Sequence, residues 1–67
     1  MAFLCMDKNG EWAFKHGKHI GKTIDEVAKE APSYLVWMFD SKVIYDLDNK
    51  AYYALVDVMG EHHIDVP

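Results

Sequence analysis

The part of the sequence best suited to chemistry is a short basic loop with two glycines. It reads His16-Gly17-Lys18-His19-Ile20-Gly21-Lys22-Thr23, and Lys15 precedes it. Lysine ammonium groups attract phosphate, and unpaired N–H groups at the first turn of a helix bind anions. We therefore predict that this loop holds a phosphate. The candidate contacts are Lys15, His16, Gly17, Lys18, His19, Gly21, Lys22 and Thr23.

The loop resembles a nucleotide-binding P-loop only in part. A P-loop has four residues between its two glycines, whereas three residues separate Gly17 from Gly21. The parallel sheet that supports nucleotide hydrolysis needs more chain than these 67 residues provide. We therefore do not expect nucleotide hydrolysis. A purely structural interpretation stays open, in which the glycines permit a tight connection and the lysines only solvate it.

Other chemistries find little support in the residue types. His16 and His19 have the spacing of metal ligands, but Cys5 is the single cysteine and no second thiolate defines a zinc site. His62 and His63 are adjacent, and neighbouring histidines do not easily share one ion. A buried Cys5 would be a small core residue rather than a nucleophile. We expect no metal, no cofactor and no enzymatic activity.

Charge is unevenly distributed along the chain. The net charge is −4 and there is no arginine, which argues against coating nucleic acid by bulk electrostatics. Between Lys8 and Lys22, however, four lysines face one acid, Glu11, whereas nine acids face three lysines from Asp25 onward. The basic part suits phosphate and the acidic part suits a basic protein surface. Among the aromatic residues, Trp12 is the best candidate to stack on nucleic-acid bases, although we expect its side chain to be buried.

Length and composition describe one small globular domain, residues 1–67. Half of the residues (51%) are hydrophobic, and a chain of this size must commit most of them to its core. No stretch approaches the length of a membrane span or the pattern of a signal peptide. A lone cysteine is typical of a reducing compartment. We expect a cytoplasmic protein without a membrane partner, and its oligomeric state is left open.

The pattern of residues predicts an α+β fold, an N-terminal β-hairpin followed by three short helices. Residues 2–6 and 11–15 flank a turn at 7–10, where Asn-Gly tolerates positive φ. In the second strand, Trp12 and Phe14 share the core face, opposite Ala13. The hairpin then leads directly into the basic loop.

Capping signals predict the helix boundaries. Thr23 and Glu26 match a capping box, and the first helix should end near Ala31 because Pro32 follows. The second helix covers residues 33–40 with Pro32 at its start, is apolar nearly all round, and has Trp37 at its edge. A connection at 41–47, briefly extended at 43–45, leads to a third helix. Asp46 or Asp48 caps that helix, which runs to about residue 61, and residues 62–67 should fray.

One part of the chain resembles the C-terminal module of exodeoxyribonuclease X-like proteins and a related family of short quorum-regulated virulence-factor-like proteins. The residues that carry the resemblance are His16-Gly17-Lys18-His19-Ile20-Gly21-Lys22-Thr23 with the helix after them, then Pro32-Ser33-Tyr34-Leu35-Val36-Trp37. The chain departs from the family pattern at His16, Ile20 and Ala31. The resemblance implies an accessory, non-catalytic module that also occurs as free-standing small proteins, many in phage genomes. The nuclease active site lies in a different domain. The resemblance also implies that Tyr34, Leu35 and Trp37 are structural.

Two functions follow from these observations. The first is weak binding of nucleic-acid phosphates through the basic loop in support of a DNA-processing partner. Three loop lysines give a log–log salt slope of only about −3 on duplex DNA. The second is protein binding, such as a phage-type inhibitor acting in the host cytoplasm. Its contact surface is acidic and helical, and it includes Asp46, Asp48, Asp57 and Glu61.

Overall fold

The computed structural model describes residues 3–67 and begins with an antiparallel hairpin. The elements in chain order are β1 (Leu4–Met6), β2 (Trp12–Phe14), α1 (Ile24–Glu30), α2 (Pro32–Asp40), a 3₁₀ helix (Val43–Asp46) and α3 (Asn49–Glu61). Leu4 pairs with Phe14 and Met6 with Trp12. The predicted α+β fold, a hairpin followed by three short helices, is confirmed. No helix within residues 3–67 has the length and apolarity that a membrane crossing requires.

Asp7 and Gly10 shape the turn of the hairpin. The Asp7 carboxylate accepts hydrogen bonds from the backbone N–H groups of Asn9 and Glu11, both at 2.9 Å. Gly10 has φ +80°, whereas Asn9 is not in the left-handed region. The turn is therefore a type I turn followed by a glycine bulge, and the positive φ that Asn-Gly tolerates is adopted by Gly10 alone. Both strands are shorter than predicted, and Ala2 lies outside the described residues.

Strand β2 is covered on both faces, which the simple alternation of its residues did not predict. Phe14 is buried in the core, but Ala13 is also buried and Trp12 is only half-buried. The cause is the chain beyond the loop, which returns beside β2 and forms an antiparallel bridge between Ala13 and Thr23. Residues 22 and 23 thus lie along the edge of β2 opposite to β1.

The first two helices begin and end where the capping residues predicted. The Thr23 hydroxyl accepts the Glu26 N–H and the Glu26 carboxylate accepts the Thr23 N–H, which confirms the capping box. Ala31 ends α1, and Pro32 occupies the first turn of α2, where its missing N–H costs no hydrogen bond. In α2, Leu35 and Met38 are fully buried.

The connection after α2 differs from the prediction. Residues 43–46 form a 3₁₀ helix rather than an extended segment, and Lys42 enters it with a left-handed φ of +70°. Of the two candidate caps of α3, Asp48 is the one used, because its carboxylate accepts the Ala51 N–H at 2.8 Å. Val58 on α3 is only partly buried.

One hydrophobic core joins the hairpin to the three helices. Helix α1 is at its centre, since it contacts β2, α2 and α3. No polar side chain among residues 3–67 is fully buried. The buried residues of this core are Leu4, Phe14, Ile24, Val27, Ala28, Leu35, Met38, Ala51, Leu55 and Met59.

The end of α3 is closed by specific contacts. The Ile64 N–H donates to the Met59 carbonyl at 2.8 Å and the His63 N–H to Gly60 at 3.2 Å, with His63 in the left-handed region. This is a Schellman motif, and Ile64 packs against the core. Fraying of residues 62–67 is a statement about motion and stays a prediction, but residues 62–64 have defined partners.

His62 also connects α3 to α1. Its Nε2 lies 2.7 Å from Oδ1 of Asp25, whose other carboxylate oxygen lies 3.3 Å from the Lys29 ammonium. These partners, the His62 hydrogen bond above all, hold the pKa of the Asp25 carboxyl below its ordinary value. A lowered pKa means that the contact stabilises the fold above the unfolded pKa of about 3.9 and is lost as the pH falls through the folded pKa.

We therefore expect Asp25→Asn to lower the free energy of unfolding at pH 6, and this effect to shrink as the pH falls through the lowered pKa of Asp25, where the parent chain loses the same contact. Urea denaturation of parent and variant at pH 6 and at a series of lower pH values measures this difference. Asp57→Asn, an exposed position on α3, is the control. A pH dependence that is the same in both variants would contradict the stabilising role of the contact.

Candidate functional site

The basic loop leaves β2 after Phe14 and returns to the same residue. The Gly21 N–H donates to the Phe14 carbonyl at 2.9 Å, and the Phe14 N–H donates to the Lys22 carbonyl at 2.8 Å. The far end of the loop is thus hydrogen-bonded to the strand from which the loop leaves. Gly17 and Gly21 have φ values of +94° and +89°, which other residues rarely adopt, so both glycines are required by the path of the chain.

Several of the backbone amides that were expected to bind an anion already have acceptors within the chain. Lys22 donates its N–H to the His19 carbonyl, and Gly21 donates to Phe14. Thr23 and Glu26 satisfy each other's N–H groups in the capping box. Helix α1 has only seven residues, and its first turn carries two acids, which repel an anion. These bonds and acids reduce what the amides can offer an anion, and the binding of an anion by this loop stays a prediction.

The lysines of the loop do not act as one group. The Lys22 ammonium lies 2.6 Å from the Glu30 carboxylate at the end of α1, and this hydrogen bond lowers the pKa of Glu30. Lys15 and Lys18 are exposed, and no carboxylate within residues 3–67 forms an ion pair with either of them. The available positive charge is therefore that of Lys15 and Lys18, with the partly buried His16 between them.

His19 faces the interior of the molecule rather than a ligand. Its ring centroid lies 4.5 Å from that of Tyr34 and 6.5 Å from that of Phe14, both edge to face. Its Nε2 is buried and has no hydrogen-bond partner in the described part of the chain. His19 thus packs the loop onto α2. Residues 3–67 contain no group of three His, Cys, Asp or Glu side chains arranged to hold a metal ion.

Aromatic side chains of α2 meet the loop and form a cleft with it. Phe3, Gly17, Lys18, Tyr34 and Trp37 line this cleft, which has a volume of about 400 Å³. We name it the aromatic–lysine cleft. The rings of Tyr34 and Trp37 are 5.0 Å apart and inclined by 31°, and Trp37 is 44% exposed. Lys18 is the only charged residue of the lining, so the cleft is apolar with one cation at its edge.

Sequence reasoning missed Trp37 as a surface residue and preferred Trp12. Trp12 is half-buried, and its cleft of about 260 Å³ also contains three acids, Glu11, Asp25 and Glu61, which disfavour a phosphate. The helical period carried a signal for Trp37. Once Leu35 and Met38 define the inner face of α2, Trp37 lies about 130° away from the middle of that face.

These features define a small α+β module with an aromatic cleft and a free lysine beside the loop. Residues 14–42 of the chain match the family model described as exodeoxyribonuclease X-like C-terminal. The resemblance inferred from the sequence is therefore confirmed, and it covers the loop, α1 and α2. No curated protein and no solved structure gives a significant match to the chain.

Gly17 keeps the cleft open, and its substitution tests this part of the structure. A Cβ at position 17 would lie 2.8 Å from the Tyr34 hydroxyl and 3.1 Å from the Phe3 ring, whereas a Cβ at position 21 would meet no atom. Both positions have positive φ and carry a similar backbone penalty of about 1–2 kcal/mol. We expect Gly17→Ala to cost about 1 kcal/mol more than Gly21→Ala in denaturant unfolding, because overpacking is added. Equal losses would contradict the close approach of Gly17 to the rings.

Proposed function

We propose that this chain is a small non-catalytic accessory module that binds nucleic-acid phosphates weakly through Lys15 and Lys18, in support of a DNA-processing partner. The observation that carries the proposal is the position of Lys18, which has no acidic partner within residues 3–67 and lies beside an exposed aromatic surface. The family match to an exodeoxyribonuclease-associated module over this same segment supports it.

The charge distribution explains why binding should be weak. The chain carries a net charge of −4, and Lys22 is engaged with Glu30, so two lysines act against a repulsive background. Two phosphate contacts correspond to a log–log salt slope of about −1.4 on single strands and about −1.8 on duplex DNA. Such a module adds to the affinity of a partner instead of replacing it. A cytoplasmic location, that of the host for a phage-encoded chain, is part of the proposal.

The lysines can be separated by single substitutions. We expect Lys18→Ala to weaken binding to a labelled oligonucleotide at low salt and to reduce the salt slope by about 0.7 on single strands. Lys22→Ala should have a smaller effect, because its ammonium already pairs with Glu30, and Lys50→Ala on α3 is the control. Fluorescence anisotropy at two salt concentrations measures the three variants. No binding at low salt, or equal effects at positions 18 and 50, would overturn the proposal.

A second candidate function is protein binding through an acidic, aromatic surface instead of the basic loop. A cleft of about 430 Å³ brings together Phe39, Ile44, Tyr45 and Tyr52 with residues of the C-terminal segment, and Tyr45 is 80% exposed. Exposed aromatic residues are enriched in protein interfaces. Asp46 and Asp48 flank this surface in the sequence, although Asp48 already caps α3. An acidic, tyrosine-rich surface suits a basic protein partner, such as a host enzyme that the chain inhibits.

The two functions predict opposite effects of two variants. In a pull-down from nuclease-treated host lysate, protein binding predicts one stoichiometric partner that is lost with Tyr45→Ala and kept with Lys18→Ala. Neutralising Asp57 and Glu61 together tests whether the acids of α3 imitate a nucleic-acid backbone. If no partner remains after nuclease treatment, or if Tyr45→Ala retains the same partner, this candidate fails.

A further inference from the structure

We propose that the aromatic–lysine cleft binds one unpaired nucleobase, stacked on Trp37, with the neighbouring phosphate at Lys18. This inference rests on the proposed function and specifies its ligand, which is single-stranded nucleic acid. Base faces are hidden inside a duplex and are accessible only in unpaired nucleotides. Stacking of bases on aromatic side chains beside a basic surface is the general chemistry of single-strand binding.

The exposed ring of Trp37 is held in place before any ligand arrives. Trp37 leans on Tyr34 at 5.0 Å, and Tyr34 contacts the rings of Phe14 and His19 at 5.6 Å and 4.5 Å. Phe3 meets Phe14 edge to face at 5.9 Å on the other side. Each neighbour restricts the next ring, so little side-chain entropy remains to be lost on binding. The cleft therefore offers a rigid platform on which a planar group can stack.

The shape of the cleft depends on Gly17. A side chain at this position would occupy the space in front of the Tyr34 hydroxyl and the Phe3 ring. The absence of a side chain leaves a volume of about 400 Å³, which is within the roughly 300–1,000 Å³ of small-molecule sites. One flat heterocycle with its sugar is a ligand of suitable size, whereas a duplex end is larger.

The charges around the clefts favour a nucleotide here and not elsewhere. Among residues 3–67, Lys18 is the one charged residue in the lining of the aromatic–lysine cleft, and its side chain is a cation. The cleft at Trp12 contains three acids, and Tyr45 of the second candidate surface is followed directly by Asp46. Among these exposed aromatic surfaces, the aromatic–lysine cleft is the one where a phosphate would meet an ammonium group and no carboxylate.

The decisive experiment compares three nucleic acids of equal length and phosphate number per strand: a single-stranded oligothymidine, the same backbone with abasic residues, and a duplex. Trp12→Phe leaves Trp37 as the only tryptophan, so quenching of its fluorescence reports stacking. We expect quenching by oligothymidine alone, and binding that is at least about fivefold tighter than that of the abasic strand or the duplex. Trp37→Leu should lose this preference, whereas Tyr53→Leu, an exposed tyrosine of α3, should keep it.

The outcomes separate the inference from the proposed function. Equal binding of the abasic and the normal strand, with Lys18→Ala still weakening both, overturns base stacking and leaves phosphate binding intact. Binding of the duplex as tight as that of the single strand also overturns it. Failure of all three nucleic acids at low salt removes the proposed function and the inference together. The abasic comparison uses the intact cleft, so it decides the question even where Trp37→Leu does not fold.

Discussion

The rest of the structure depends on Phe14, which packs in the core through its ring and bonds to the end of the basic loop through its backbone. Its ring fills the core between Phe3 and Tyr34, while its N–H and carbonyl bond to Lys22 and Gly21. Because these backbone bonds join the loop's far end to the strand from which it leaves, the loop must close within a few residues. Two glycines with positive φ make that closure possible. The same closure sets where α1 begins and brings Gly17 against the rings of α2.

Local signals in the sequence predicted most of the fold, because they act within a few residues. The capping box at Thr23 and the cap at Asp48 have their expected hydrogen-bond partners, and Pro32 lies at the start of α2 as expected. The features that were not predicted depend on residues distant in sequence. Ala13 is buried where residue 23 returns beside it. The Lys22 ammonium forms an ion pair with Glu30, eight positions away. Periodicity and capping rules contain no information about such contacts.

The candidate site changed for the same reason. Sequence spacing placed lysines beside the opening turn of a helix and suggested an anion held by backbone amides. In the folded chain, the amides of Gly21, Lys22, Thr23 and Glu26 already donate hydrogen bonds within the chain, since buried or half-buried N–H groups left unpaired are costly. The glycines nevertheless contribute to the site in another way. They bring the loop so close to Tyr34 that a cleft forms between the loop and α2, and the proposed contacts are accordingly those of aromatic and lysine side chains.

The distribution of charge limits the role in nucleic-acid binding that we propose for the module. A protein that binds nucleic acid without a partner uses many cationic side chains, because each phosphate contact contributes little and is weakened by salt. This chain presents at its loop two lysines without an ion-pair partner within residues 3–67 and a surplus of acids over the remainder, so in the proposed complex electrostatic attraction would orient the chain more than bind it. Stacking on Trp37 is insensitive to that surplus, because it depends on buried ring area rather than on charge. An acidic chain of this size can therefore contribute to a nucleic-acid complex mainly through a rigid aromatic surface, with one lysine to select where that surface is applied.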